Sequence, residues 1–83
     1  MSDWYLYIVR CSDGSLYTGI TKDIDRRIDE HNHGSKGAAY TRSHRPVILV
    51  YQESCNSRSE ATIRESEIKK LSKNEKELMI KKI

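Results

Sequence analysis

Two runs rich in aromatic and β-branched residues, Trp4–Arg10 (WYLYIVR) and Leu16–Thr21 (LYTGIT), flank the turn signal Asp13-Gly14 and constrain the fold more than any other feature. They predict a β-hairpin whose register can be argued from side-chain alternation. A two-residue turn at Asp13-Gly14 would pair Ser12 with Ser15 and mix apolar with polar residues on each face. A three-residue loop, Ser12-Asp13-Gly14 with Gly14 in the left-handed conformation, pairs Cys11 with Ser15 and keeps parity across the strands. Leu6, Ile8, Leu16 and Ile20 then share one face. Because a one-residue slip moves a whole hydrophobic set to the other side of a sheet, the three-residue loop is the favoured reading. It gathers Tyr5, Tyr7, Tyr17 and Gly19 on the opposite face, with Tyr7 facing Gly19 and diagonal to Tyr17.

Beyond the hairpin the pattern becomes helical. A first helix is predicted over 23–32, started by Thr21 or Asp23 and stopped near Gly34, with Ile24 and Ile28 as its buried stripe. At about 100° per residue, His31 lies about 20° and Arg27 about 60° from Ile24, whereas Arg26 points away at about 200°. Arg27 and His31 therefore reach the sheet. Residues 33–46 (HGSKGAAYTRSHRP) carry glycines, small residues, Lys36, Arg42, His44, Arg45 and the chain's proline, and read as an extended basic loop. A third strand follows over 47–53. Ser57 with Glu60 and Ser72 with Glu75 match the capping box and predict helices over 58–71 and 73–82. The expected fold class is α+β, a three-stranded antiparallel sheet flanked by three helices in the order β-β-α-β-α-α. With neither an internal repeat nor a linker, residues 1–83 are expected to form one domain, and 83 residues bury only one modest core.

Bulk properties narrow the class further. Hydrophobic residues make up 36% and charged residues 33% of the chain, a balance that argues against both disorder and a membrane-spanning protein. The apolar stretches at 4–9 and 47–51 are strand-sized, and no charged leader with a long apolar segment precedes them, which points to a cytoplasmic protein. Cys11 and Cys55 lie far apart without a CxxC pattern, as expected of free thiols in a reducing compartment. The net charge of +3 conceals an asymmetry: residues 1–34 carry four Lys/Arg against six Asp/Glu, and residues 35–83 eleven against six. A basic surplus of this size suits a polyanionic partner and suits a solvated surface almost as well.

The candidate chemistry lies on the tyrosine face. Tyr7 and Tyr17 are each compatible with plain strand packing, but an open Gly19 between them, with Arg27 and His31 arriving at the same edge, makes a convergent site. Glu65 sits about 40° from Ala61 on the apolar side of its helix, where an unpaired carboxylate is costly; it should find a cation or a metal. An arginine grips a phosphate bidentately and stabilises developing charge. One carboxylate can hold a hydrated magnesium ion, and a phenol or imidazole can orient or deprotonate a water. Zinc is a rival use for Cys11, Cys55, His31, His33 and His44, although no pair has structural-site spacing. For Lys36, Arg42 and Arg45, phosphate contact and simple solvation are equally consistent. Tyr40 can pack under the loop or stack on an unpaired base.

Tyr5-Leu6-Tyr7, nine residues, then Tyr17-Thr18-Gly19, followed by Arg26-Arg27, His31 and a helix bearing Glu65, resemble the signature of the GIY-YIG nucleases. Gly37-Ala38-Ala39-Tyr40-Thr41-Arg42 and Arg58-Ser59-Glu60-Ala61 resemble its small stand-alone bacterial branch, close to structure-specific junction nuclease subunits. The resemblance spans nearly the whole chain. It implies a metal-dependent endonuclease in which Tyr17 is general base or water-orienting group and Tyr7 its partner. Arg27 is then the phosphate clamp, His31 a second proton-transfer or positioning residue, and Glu65 the ligand of a divalent metal, Mg2+. The implied substrate is nucleic acid, DNA that is branched, flapped or single-stranded, or RNA, with a protein partner supplying specificity. Tyr5-Leu6 stands where the family name has Gly-Ile, Thr18 replaces isoleucine, and position 77, where several branches carry asparagine, is Glu. The alternative function is an interaction module for nucleic acid or protein that keeps the fold without efficient catalysis.

Overall fold

The computed structural model describes residues 3–34 and 39–82. Strands β1 (Trp4–Arg10) and β2 (Leu16–Thr21) form the hairpin; α1 (Ile24–His33) and a single helical turn α2 (Ala39–Arg42) lead to β3 (Ile48–Cys55), α3 (Arg58–Lys69) and α4 (Lys73–Lys81). The order β-β-α-β-α-α holds, with α2 added inside the segment expected to be an extended loop. The sheet order is β2-β1-β3, and both pairings are antiparallel.

The hairpin register is the one that alternation favours. Tyr7 pairs with Gly19, Ile8 with Thr18 and Val9 with Tyr17, and the loop closes with the Cys11 amide donating to Ser15 O at 2.8 Å. Gly14 takes φ 86°, the left-handed region open to glycine at little cost. Between β1 and β3 the register shifts at Ile8/Val9, so that Val50 is the extra residue of a bulge. The bulge turns β3 over: Leu49 packs on the Tyr7 side, and Val50 and Tyr51 pack on the other.

Each sheet face therefore has its own cluster. On one, Leu6, Ile8, Cys55, Ala61 and Ile68 are buried with Trp4, Leu16, Ile20, Met79 and Ile80 around them, so α3 and α4 cover this side. On the other, Tyr7, Val9, Cys11 and Val47 pack with Tyr17, Leu49 and the α1 residues Ile24 and Ile28. Each fully buried aliphatic chain contributes about 1.5–3 kcal/mol, so the α3 side carries most of the hydrophobic stabilisation.

Two isoleucines are a thin apolar stripe for a helix, and polar contacts supplement it. Asp23 caps α1, its Oδ1 accepting from the Arg26 amide at 3.1 Å, and Thr21 Oγ1 in turn accepts from the Asp23 amide. At the other end the Asn32 side chain acts as a strand partner for Val47, accepting from its amide at 2.7 Å and donating to its carbonyl at 3.0 Å. Both later helices start at their predicted caps. Ser72 and Glu75 complete a capping box, whereas Glu60 reaches past Ser57 to accept from the Asn56 amide at 3.0 Å. Among the described residues no helix is long and apolar enough to cross a membrane.

Candidate active site

Four of the expected residues meet on the α1 side of the sheet. Gly19 has no Cβ, and that absence makes the room: a Cβ there would lie 2.5 Å from Tyr7 Oη and 2.7 Å from its Cζ. The Tyr7 ring lies across this gap, 1% exposed, and its Oη is 2.7 Å from His31 Nε2. The Arg27 cation stands near enough to the same phenol to act on it electrostatically. Tyr17, diagonal to Tyr7 and half-buried, sets its ring edge-on to His31 with centroids 5.4 Å apart. The α1 geometry explains the convergence, because Arg27 and His31 stand one turn apart on its sheet-facing edge. Arg26 is 71% exposed, as its position on the wheel requires.

Burial dominates the electrostatics here. It pushes the Tyr7 phenol up to about 12, with Arg27 opposing and the Tyr17 and Glu65 charges adding to the rise. It pushes His31 down to about 4, helped by the Arg27 and Arg45 cations. At neutral pH the site thus holds a neutral phenol and a neutral imidazole beside a permanent guanidinium. Arg27 is itself steadied by Glu30, whose Oε1 accepts from Nη1 at 3.0 Å.

Glu65 comes from α3. Its side chain is 23% exposed and pairs with Lys69 Nζ at 3.5 Å, one turn along and 54% exposed, and its charge reaches Tyr7. It is a boundary carboxylate with a loose lysine partner. Among the described residues no group of three or more His, Cys, Asp or Glu could hold a metal, so the zinc alternative has no constellation behind it. Cys11 and Cys55 are free and buried, and burial raises both thiols.

The basic segment divides. Arg42 is exposed at the end of α2, and Lys36 lies outside the described residues. Arg45 takes a position that its sequence context did not reveal. Its guanidinium donates to the carbonyl oxygens of His31, Glu30 and Gly34 and so caps the C-terminal end of α1, a structural role that neither phosphate contact nor simple solvation anticipates. Tyr40 is 44% exposed, its ring stacked on His44 at 4.3 Å and nearly parallel to Tyr17 at 6.4 Å. Glu77, at the position of the expected asparagine, is held bidentately by Arg10, both contacts 2.7 Å. Thr41 entered the sequence reading only as part of the loop segment, with no site role of its own. It is fully buried, and its Oγ1 lies 2.7 Å from His31 Nδ1. A wider cleft of about 710 Å³ lies toward the N-terminal end of α1, lined by Tyr5, Lys22, Ile24 and Gln52 among others and by none of the five expected site residues.

A neutral imidazole, two phenols and an arginine thus meet on one patch of a β-β-α-β-α-α fold, and the Glu65 charge reaches that patch from α3. The profile of the GIY-YIG catalytic domain matches residues 3–78, and the chain belongs to this family, which is of nuclease type. Within it the chain is similar to the UPF0213 protein DP2720 of Desulfotalea psychrophila, 60% identical over 78 residues, 94% of this chain and 71% of that one. It is also similar to the UPF0213 protein SSP2268 of Staphylococcus saprophyticus, 57% identical over 76 residues, 92% of each chain. The solution NMR structure of the UPF0213 protein BH0048 from Bacillus halodurans shares the fold with a TM-score of 0.60 at 46% identity, covering 94% of this chain and 82% of that one. That of EF2693 from E. faecalis matches with a TM-score of 0.64 at 40% identity, covering 99% and 90%.

Proposed function

We propose that the protein is a magnesium-dependent endonuclease that hydrolyses phosphodiester bonds in branched, flapped or single-stranded DNA, or in RNA. The observation that carries this reading is the buried Tyr7–His31 hydrogen bond, with the Arg27 charge acting on that phenol and Tyr17 set edge-on to the imidazole. The two tyrosines cannot share one role. Tyr7 is buried, and its hydroxyl is already engaged by His31, so it organises the site. Tyr17 is half-buried and is the phenol that a water can reach, so it orients or deprotonates the nucleophile. Arg27 clamps the scissile phosphate and offsets the charge that grows on it. His31, neutral at pH 7 and hydrogen-bonded to Tyr7, serves as the second proton-transfer or positioning residue.

Glu65 fits a magnesium ligand. It is one oxygen-donor carboxylate, partly exposed and lightly paired, and Mg2+ keeps several waters while binding through one or two carboxylates and substrate phosphates. When bound, the ion supplies positive charge at the phosphate oxygens. Arg42 contributes a phosphate contact outside the centre, and a protein partner supplies target choice, since a basic surplus this small gives little means of selection.

One observation favours a second reading, a binding module of low catalytic power. Glu77 is tied up by Arg10 and offers no free amide to a substrate. The two readings separate when labelled DNA and RNA structures are incubated with the protein in Mg2+ or EDTA, alongside Glu65→Ala. The endonuclease reading expects cleavage in Mg2+ alone, with Glu65→Ala slower by about 100-fold or more, the order of a lost charge-stabilising group. Binding without cleavage on every substrate establishes the second reading instead.

A further inference from the structure

His31 is fully buried, and each ring nitrogen faces one hydroxyl, Tyr7 Oη at Nε2 and Thr41 Oγ1 at Nδ1, both at 2.7 Å. A neutral imidazole has one donor and one acceptor, so the two hydroxyls must play opposite roles. Tyr7 decides which. The Arg27 cation acts on the phenol and draws its lone pairs, which turns the phenol's own proton away from the guanidinium. The phenol is 1% exposed, and the remaining partner for its own proton is His31 Nε2. Nε2 is then the acceptor, Nδ1 carries the hydrogen, and Thr41 Oγ1 accepts from it. Without the threonine oxygen a buried N–H would be left unpaired, at a cost of about 1–3 kcal/mol, or the ring would change tautomer and give up the Tyr7 bond.

We propose that Thr41 is a positioning residue for the nuclease centre: its hydroxyl holds His31 in the Nδ1–H tautomer, so that Nε2 faces Tyr7 as an acceptor. Thr41 lies in α2 between Tyr40, which is stacked beside Tyr17, and the exposed Arg42. The kinetic consequence rests on the endonuclease reading, whereas the tautomer does not, and the test keeps them apart.

Long-range 15N–1H NMR of His31 at pH 7 in the wild type, Thr41→Ser and Thr41→Val reads the tautomer without any substrate. The expected result is Nδ1 protonated and Nε2 unprotonated in the wild type and in Thr41→Ser, with a shift toward Nε2–H in Thr41→Val. On a cleavable DNA, kcat of Thr41→Val falls roughly 10- to 100-fold with KM little changed, the scale seen when an outer partner that orients a histidine is lost, and Thr41→Ser restores it. A wild-type His31 protonated at Nε2 overturns the proposal even if Thr41→Val does not fold. So does a Thr41→Val protein that keeps the Nδ1–H tautomer. The expected tautomers with no cleavage by any of the three proteins leave Thr41 confirmed as the tautomer anchor and count against the endonuclease reading alone.

Discussion

At the scale of single residues, the site depends on one missing side chain. Gly19 sits at an ordinary strand position, and its value lies in the close approach of Tyr7, whose ring is buried and whose hydroxyl is hydrogen-bonded to His31. Gly19→Ala forces that ring off His31. It should cost about 1–3 kcal/mol in a denaturant titration, the usual range for overpacking, and remove the Tyr7–His31 contact. His31 gives a pH signature with a definite sign. Burial lowers it from 6.5 to about 4, so between those values the unfolded chain binds the additional proton. The stabilisation is complete above about pH 6.5 and is lost as the pH falls toward 4, on the order of 3 kcal/mol in all. Unfolding at pH 7 and pH 4.5 should show a drop for the wild type that is clearly smaller in His31→Gln; equal drops would remove His31 as the cause. Tyr7, Tyr17, Arg27 and His31 were legible because strand parity and the helical wheel fix where such side chains point. Thr41 and Arg45 were not, because a loop has no period. A threonine that accepts from an imidazole and an arginine that caps carbonyls look the same in sequence as solvated ones.

At the scale of elements, legibility followed local chemistry. The hairpin register came from alternation and the three long helices from their caps, all set by neighbours within a few residues. The bulge at Val50, the turn α2 and the Asn32 bridge to Val47 depend on contacts between distant segments, which one sequence does not display. The same contrast governs α4. It contains no fully buried residue, packs through Met79 and Ile80, and is pinned to the end of β1 by the Glu77–Arg10 pair. Those two side chains are 27% and 33% exposed, so solvent screening keeps the contribution of the pair small. Glu77→Gln should therefore lower global stability by that small amount. In hydrogen exchange it should selectively speed the amides of α4 while those of β1 keep their protection. Uniform loss across both elements would show that α4 is not a separate opening unit.

At the scale of the whole molecule, stability and chemistry are divided by the sheet. The aliphatic cluster under α3 and α4 holds the fold, and the opposite face lends its tyrosines to α1. The polar residues of the site are thus placed where fewest apolar contacts depend on them. Glu65 is the exception, a carboxylate from the α3 side whose charge still reaches Tyr7. Family and fold were readable because spacing, parity and element order agree over nearly the entire chain; substrate was not, since a net charge of +3 spread over the second part of the chain selects no particular nucleic-acid shape. The central claim, that this face cuts phosphodiester bonds with Tyr17 at the attacking water, is tested most directly by single-turnover cleavage of a flapped DNA in Mg2+. The wild type should cleave, and a correctly folded Tyr17→Phe should be slower by about 100- to 10,000-fold, the range for a lost proton-transfer group. An unchanged rate in Tyr17→Phe would contradict the account.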